Sequence, residues 1–191
     1  MRKLYIIAGP NGAGKTTASY TILPEIFDCH EFVNADEIAK GLSPFNPESV
    51  SLKAGRLMLQ RINELLDSGV SFAFETTLAT KSYASLIRRA KVKNYEVILL
   101  YLTLNSEELA IQRVKTRVLE GGHNIPVEVI KRRFHRGLSN LFNIYLFIVN
   151  SWFVVDNSGE TFKFIALGSQ DEIEIKDKLQ WKQLEETYYV K

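Results

Sequence analysis

The chain is poor in cysteine, in net charge and in long apolar runs. Cys29 is the only thiol among 191 residues. No internal disulfide can form, and no Cys/His set has zinc spacing. A buried, inert thiol in a cytoplasmic protein is the expectation. Lys plus Arg number 24 and Asp plus Glu 22, a net charge of +2. That balance excludes a polybasic binder working through bulk charge, so nucleic acid is not an expected partner, although a local basic site remains open. The longest uncharged stretch, 137–155, is interrupted by Asn140, Asn143, Asn150 and Ser151. It reads as a helix end followed by a buried strand, with no membrane span. Met1-Arg2-Lys3 imitates a secretory n-region, but the apolar run Leu4–Ala8 is too short and stops at Gly9-Pro10. No internal repeat or low-complexity linker is present. The length fits one domain over 1–191.

Short apolar runs alternate with amphipathic stretches, the signature of an α/β fold with a mostly parallel sheet. The strand candidates are Lys3–Ala8, Phe32–Ala35, Val70–Phe74, Val97–Leu102 and Trp152–Val155. None shows strict alternation, as expected for strands covered on both faces. Asn46-Pro47 should open a helix that runs to Gly69. Asn105 with Glu108 resembles a capping box. Another helix should start near Pro126, with Val127, Ile130, Phe134, Leu138 and Leu141 on one face. A short strand, Phe162–Leu167, and a polar helix should complete the C-terminal part, about 161–191.

The strongest motif is Gly9-Pro10-Asn11-Gly12-Ala13-Gly14-Lys15-Thr16, which fits G-x-x-x-x-G-K-[ST] directly after an apolar strand. The glycines let backbone N–H groups turn inward to form an anion cradle, and the following helix adds its positive end. Lys15 should reach the β- and γ-phosphates of ATP, and Thr16 should ligate Mg²⁺. Thr17 should cap the helix or touch the α-phosphate.

A phosphate loop fixes nucleotide binding, not the reaction. The guanine-reading Asn-Lys-x-Asp motif is missing. Leu119-Glu120-Gly121-Gly122-His123 loosely resembles the signature of ABC-type ATPases, but the strand ending Val154-Val155-Asp156-Asn157 lacks their hydrolytic glutamate. A kinase uses more of the chain. Asp36, expected at the end of the second strand, is placed to accept a hydroxyl proton. Glu75, at the end of the third, could approach Mg²⁺ or a sugar hydroxyl, with Thr76 and Thr77 beside it. Glu37 belongs to the first turn of the next helix. Segment 111–136 holds Arg113, Lys115, Arg117, Lys131, Arg132, Arg133 and Arg136 against Glu120 and Glu128. It reads as a lid whose arginines grip a transferring phosphoryl group, with His123 a further candidate for phosphate contact. The alternatives are a nucleoside, nucleotide or polynucleotide 5′-hydroxyl kinase, an ABC-like ATPase, and a non-catalytic nucleotide-dependent binding module.

The ordered set GPNGAGKTT (9–17), FVNADEIA (32–39), FAFETTL (72–78), RVLEGGHNIP (117–126) and RRFHRGLSNL (132–141) resembles the zeta toxin family of P-loop kinases, in its short stand-alone branch. The resemblance implies a three-layer α/β/α nucleotide-kinase-like fold with a five-stranded, mostly parallel sheet. It implies ATP- and Mg²⁺-dependent phosphorylation of UDP-N-acetylglucosamine at the sugar 3′-hydroxyl. Asp36 is then the general base, Lys15 the phosphate-binding lysine, and Glu75 and Thr77 the residues that hold the substrate. Of the lid arginines, Arg117 fits the first role and Arg133 or Arg136 the second. Asp156-Asn157-Ser158 resembles the adenine-side loop. A small helical antitoxin is the implied protein partner.

Overall fold

A computed structural model describes residues 1–122 and 124–190. Seven strands form one sheet in the order β2-β3-β1-β4-β5-β6-β7. β1 (Arg2–Ala8), β2 (Phe32–Val33), β3 (Phe72–Thr76), β4 (Tyr95–Thr103) and β5 (Ser151–Asp156) are all parallel. β6 (Lys163–Ser169) and β7 (Ile173–Ile175) extend the sheet as an antiparallel hairpin. The expected five-stranded sheet is therefore the parallel part of a seven-stranded one. β7 escapes a reading by hydrophobic runs because it is three residues long and exposed throughout.

The parallel strands are short apolar runs because helices cover both faces. Leu4, Ile6, Phe72, Phe74, Val97 and Leu99 are wholly buried. The helices are α1 (Lys15–Glu25), α2 (Ala35–Leu42), α3 (Ser51–Ser68), α4 (Tyr83–Val92), α5 (Glu107–Leu119), α6 (Val127–Asn140), the short α7 (Leu146–Ile148) and α8 (Lys178–Tyr188). A π-helical turn, Leu141–Tyr145, joins α6 to α7.

Several local expectations shift. Asn46-Pro47 opens a 3₁₀ turn, Pro47–Val50, without a side-chain cap, and α3 begins after it. Gly69 ends α3 in the left-handed conformation, as its position suggested. The N-cap of α5 is Ser106, not Asn105, because the Ser106 hydroxyl accepts from the Leu109 N–H. β2 stops at Val33 because the Asn34 side chain turns back to accept from the Asp36 and Glu37 amides. Asp36 thus stands in the first turn of α2 and not on the strand.

The C-terminal part docks through aromatic rings. Trp181 of α8 stacks on Trp152 of β5, with centroids 5.6 Å apart, and meets Phe142 of the π turn at 5.1 Å. Cys29 is buried, and its thiol donates to the Glu31 carbonyl. Among the described residues, no helix is long and apolar enough to cross a membrane.

The strand order reverses around β1, with β3 on one side and β4 on the other. In open α/β sheets such a switch point creates a crevice outside the carboxyl ends of the strands. The register sets Ala8 beside Thr76 and Tyr101, and Thr103 beside Asp156, which brings the loops after β1, β3, β4 and β5 to one edge.

Candidate active site

A cleft of about 670 Å³ opens at that edge. Its floor is the 9–17 loop. Gly9 has φ +143°, and a Cβ there would lie 2.1 Å from the Leu102 carbonyl oxygen, so only glycine lets the loop leave β1 this close to β4. Gly14, with φ +77°, begins α1 without any side-chain cap. The first amides of α1 are thereby left for a ligand. Asn11, Gly12, Gly14, Lys15, Thr16 and Thr17 line the cleft. Gly9, Pro10 and Ala13 shape the loop from behind: the Pro10 carbonyl accepts from Ala13 N–H and from Lys15 Nζ, the latter at 3.0 Å.

Lys15 is buried, and its ammonium lies 3.5 Å from Glu75 Oε1. Burial pushes its pKa down; Glu75 and then Asp36 push it back up, and Arg117 adds to the lowering. The Thr16 hydroxyl donates to Glu75 Oε2 at 2.7 Å. Asn34 Nδ2 donates to the same oxygen at 2.8 Å while its carbonyl caps α2. One asparagine therefore ties the third strand to the helix that carries Asp36. Its role escaped the sequence reading, although an Asn just ahead of Ala-Asp-Glu is a recognisable helix cap. Its second bond depends on β2 and β3 being neighbours.

The hard oxygens of Thr16 and Glu75 suit Mg²⁺, which keeps several waters and takes few protein ligands besides phosphate oxygens. Thr16 would bind the ion directly and Glu75 through water. No group of three or more His, Cys, Asp or Glu among the described residues forms a metal cage.

Asp36 is exposed within the cleft, with Glu75, Thr76 and Thr77 among the other lining residues. The basic segment 111–136 spans most of α5, a turn, and the first part of α6. Its helices dock through Ala110, Val114, Ile130 and Phe134, all buried. Arg117 lines the cleft, as do Glu120, Gly121 and Gly122 of the turn. Arg133 reaches across to donate to Asn11 Oδ1 at 3.3 Å. Burial lowers its pKa, and Asp36 counters that effect. Arg132 and Arg136 are exposed and outside the cleft, so the three arginines of α6 do not share one role. Arg113, expected as a lid cation, also lines the cleft but spends its guanidinium on backbone: it donates to Asn157 O at 2.7 Å and to Ser158 O at 3.0 Å. Asn157 Nδ2 in turn donates to Ala13 O at 2.8 Å. The loop after β5 is thus tied to the phosphate loop. His123 lies outside the described residues.

Comparison with known proteins bears on the fold and the family. A Haemophilus influenzae (strain Rd) protein of uncharacterized function is 29% identical over 132 residues, covering 69% of this chain and 92% of that protein. A chain of the AvrRxo1-ORF1:AvrRxo1-ORF2 complex with sulphate ions superposes with TM-score 0.78 at 17% identity. All of this chain is covered there, but only 65% of the longer one. A structure from the PezAT chromosomal toxin-antitoxin system of Streptococcus pneumoniae gives TM-score 0.65 at 18% identity, covering 100% and 80% of the two chains. At such identities these structures establish the P-loop kinase-like fold alone. The sequence model of the Zeta toxin family matches residues 2–164, a span that contains the phosphate loop, Asp36, Glu75 and the cleft arginines Arg113, Arg117 and Arg133: the chain belongs to the Zeta toxin family.

Proposed function

We propose that the chain transfers the γ-phosphoryl group of ATP to a hydroxyl of a small molecule, with a nucleotide sugar, UDP-N-acetylglucosamine, as the acceptor suggested by its family. The observation that carries this reading is the convergence of Lys15, Asp36, Glu75, Arg117 and Arg133 on one cleft floored by a phosphate loop. The loop amides and Lys15 hold the phosphates of the donor. Mg²⁺, when bound at Thr16, neutralises phosphate charge. The acceptor oxygen attacks the γ-phosphorus while its proton passes to an Asp36 carboxylate oxygen, and the bond to ADP breaks. Arg117 and Arg133 supply planar donors for the charge that spreads over the transferring group. Thr77, together with Glu75, orients the acceptor. Arg136 has no such part, because its helix presents it outside the cleft.

The toxin-antitoxin system named for the Streptococcus relative supports an antitoxin as partner, a small helical one being what the family resemblance implies, and a cytoplasmic setting follows from the proposed substrates. The test is incubation with ATP, Mg²⁺ and a metabolite extract, followed by mass spectrometry for gain of one phosphate. Phosphorylated UDP-N-acetylglucosamine is the expected product. Phosphate appearing on oligonucleotide ends instead would favour a polynucleotide kinase, and ATP binding with no phosphorylated product would favour a binding module. Asp36→Asn is expected to lower turnover by about 10²–10⁴-fold with little change in ATP affinity; undiminished turnover would remove Asp36 as the base.

A further inference from the structure

One face of α6 forms a seam with the loop that follows β3. Arg133, Gly137 and Asn140 lie four and three residues apart on that face. Arg133 meets the phosphate loop at Asn11. Gly137 is buried, and a Cβ there would stand 2.6 Å from the Thr77 carbonyl oxygen, so the helix backbone approaches the loop as closely as only glycine allows. Asn140 is buried and donates Nδ2 to Leu78 O at 2.7 Å. Tyr145, the last residue of the π turn, donates its hydroxyl to Thr80 O at 2.6 Å. In an α-helix, residues five apart point about 140° away from each other. The wider π turn reduces that angle, so Asn140 and Tyr145 both face the loop.

The loop needs holding. Leu78 has φ +53°, in the left-handed region that a leucine seldom adopts, and its side chain is completely buried. Its amide donates to the Thr76 hydroxyl at 3.1 Å. Backbone strain of this kind persists where the surroundings over-determine it, and it gathers at functional sites. Thr76, Thr77 and Thr80 of this loop line the cleft.

We propose that Asn140 and Tyr145 are positioning residues for the acceptor: they clamp the 76–80 loop in its strained turn while Arg133, on the same helix, reaches the phosphate loop. α6 and its π turn then set the separation between the acceptor wall and the transferring phosphoryl group. This rests on the kinase reading of the cleft. Neither residue touches substrate; each acts through the carbonyl it binds.

The test uses the full chain with Asn140→Ala and Tyr145→Phe. ATP serves as donor, UDP-N-acetylglucosamine as acceptor probe, and amide hydrogen exchange is measured on 76–82 and on 9–17. A misplacement near 1 Å can cost about 10²-fold, so the acceptor KM is expected to rise roughly 10- to 100-fold while the ATP KM stays unchanged. Exchange should quicken in 76–82 and not in 9–17. Tyr145→Phe removes a single hydroxyl and keeps the test valid if Asn140→Ala does not fold. Unaltered exchange in 76–82 overturns the clamp. Faster exchange with an unchanged acceptor KM, or both KM values rising together, overturns the positioning role. If the wild-type chain binds ATP but phosphorylates no acceptor, it is the kinase reading that fails, and the exchange comparison still decides the clamp.

Discussion

Individual side chains around the cleft separate into those assigned to phosphate by the proposed function and those that hold the frame. Arg117 and Arg133 line the cleft and carry the proposed phosphate role; Arg113, also at the cleft wall, and Asn157 hold backbone carbonyls; Arg136 stands outside. An arginine that stabilises a transferring phosphoryl group is worth about 10³–10⁵ in turnover. Arg117→Ala and Arg133→Ala should each lose turnover on that scale, while Arg136→Ala should stay near wild type. Steady-state phosphorylation of the identified acceptor measures all three, and a large loss at Arg136 alone would reverse the assignment. A second residue-scale consequence concerns Tyr101. Its hydroxyl is fully buried and bonds to no described residue, and burial pushes its pKa up so that it stays protonated. A buried donor left unsatisfied costs about 1–3 kcal/mol. Tyr101→Phe keeps the ring and is expected to stabilise the chain by about 1 kcal/mol in denaturant unfolding; a loss of stability would show that the hydroxyl has a partner.

Helices α5, α6 and α8 meet at Glu107. Its carboxylate pairs with Lys131 at 2.9 Å and with His135 Nε2 at 2.8 Å, and the other nitrogen of His135 meets the Tyr188 hydroxyl at 2.9 Å. The Lys131 bond foremost, then His135, holds Glu107 below the usual value of 4.5. A depressed carboxylate contributes stability that is fully present above its unfolded pKa and lost as pH falls through the folded one. The wild-type melting temperature should therefore drop below pH 4.5 more steeply than that of Glu107→Gln, which starts lower at neutral pH. Thermal melts across that range, followed by tryptophan fluorescence from Trp152 and Trp181, check it; parallel curves for the two proteins would exclude Glu107 as the source. Elements also mark the limit of legibility. The strands β1, β3, β4 and β5 and the phosphate loop are local patterns, a few residues of one kind in a row, and they read directly. The bond from Asn34 to Glu75 spans 41 residues and that from Asn140 to Leu78 spans 62. Such pairings follow from strand order and helix packing, which periodicity does not encode. The π turn gives no compositional signal at all.

At the scale of the molecule, charge is arranged rather than accumulated. The net of +2 conceals a basic α5–α6 segment, part of which faces the cleft and part of which is neutralised at Glu107. The parallel core and the cleft lie within the span shared with the Zeta toxin family, residues 2–164, whereas most of the β6–β7 hairpin and all of α8 lie beyond it. The two rims of the sheet carry a different consequence. β2, at one rim, is two residues long, and β7, at the other, is three. A strand edge templates fibrillar growth when it offers a long row of free amides and carbonyls, and very short edges withhold that template. A seven-stranded sheet finished this way has little surface on which another chain could add a strand, so crowding at high concentration should not drive this protein into sheet-to-sheet polymers.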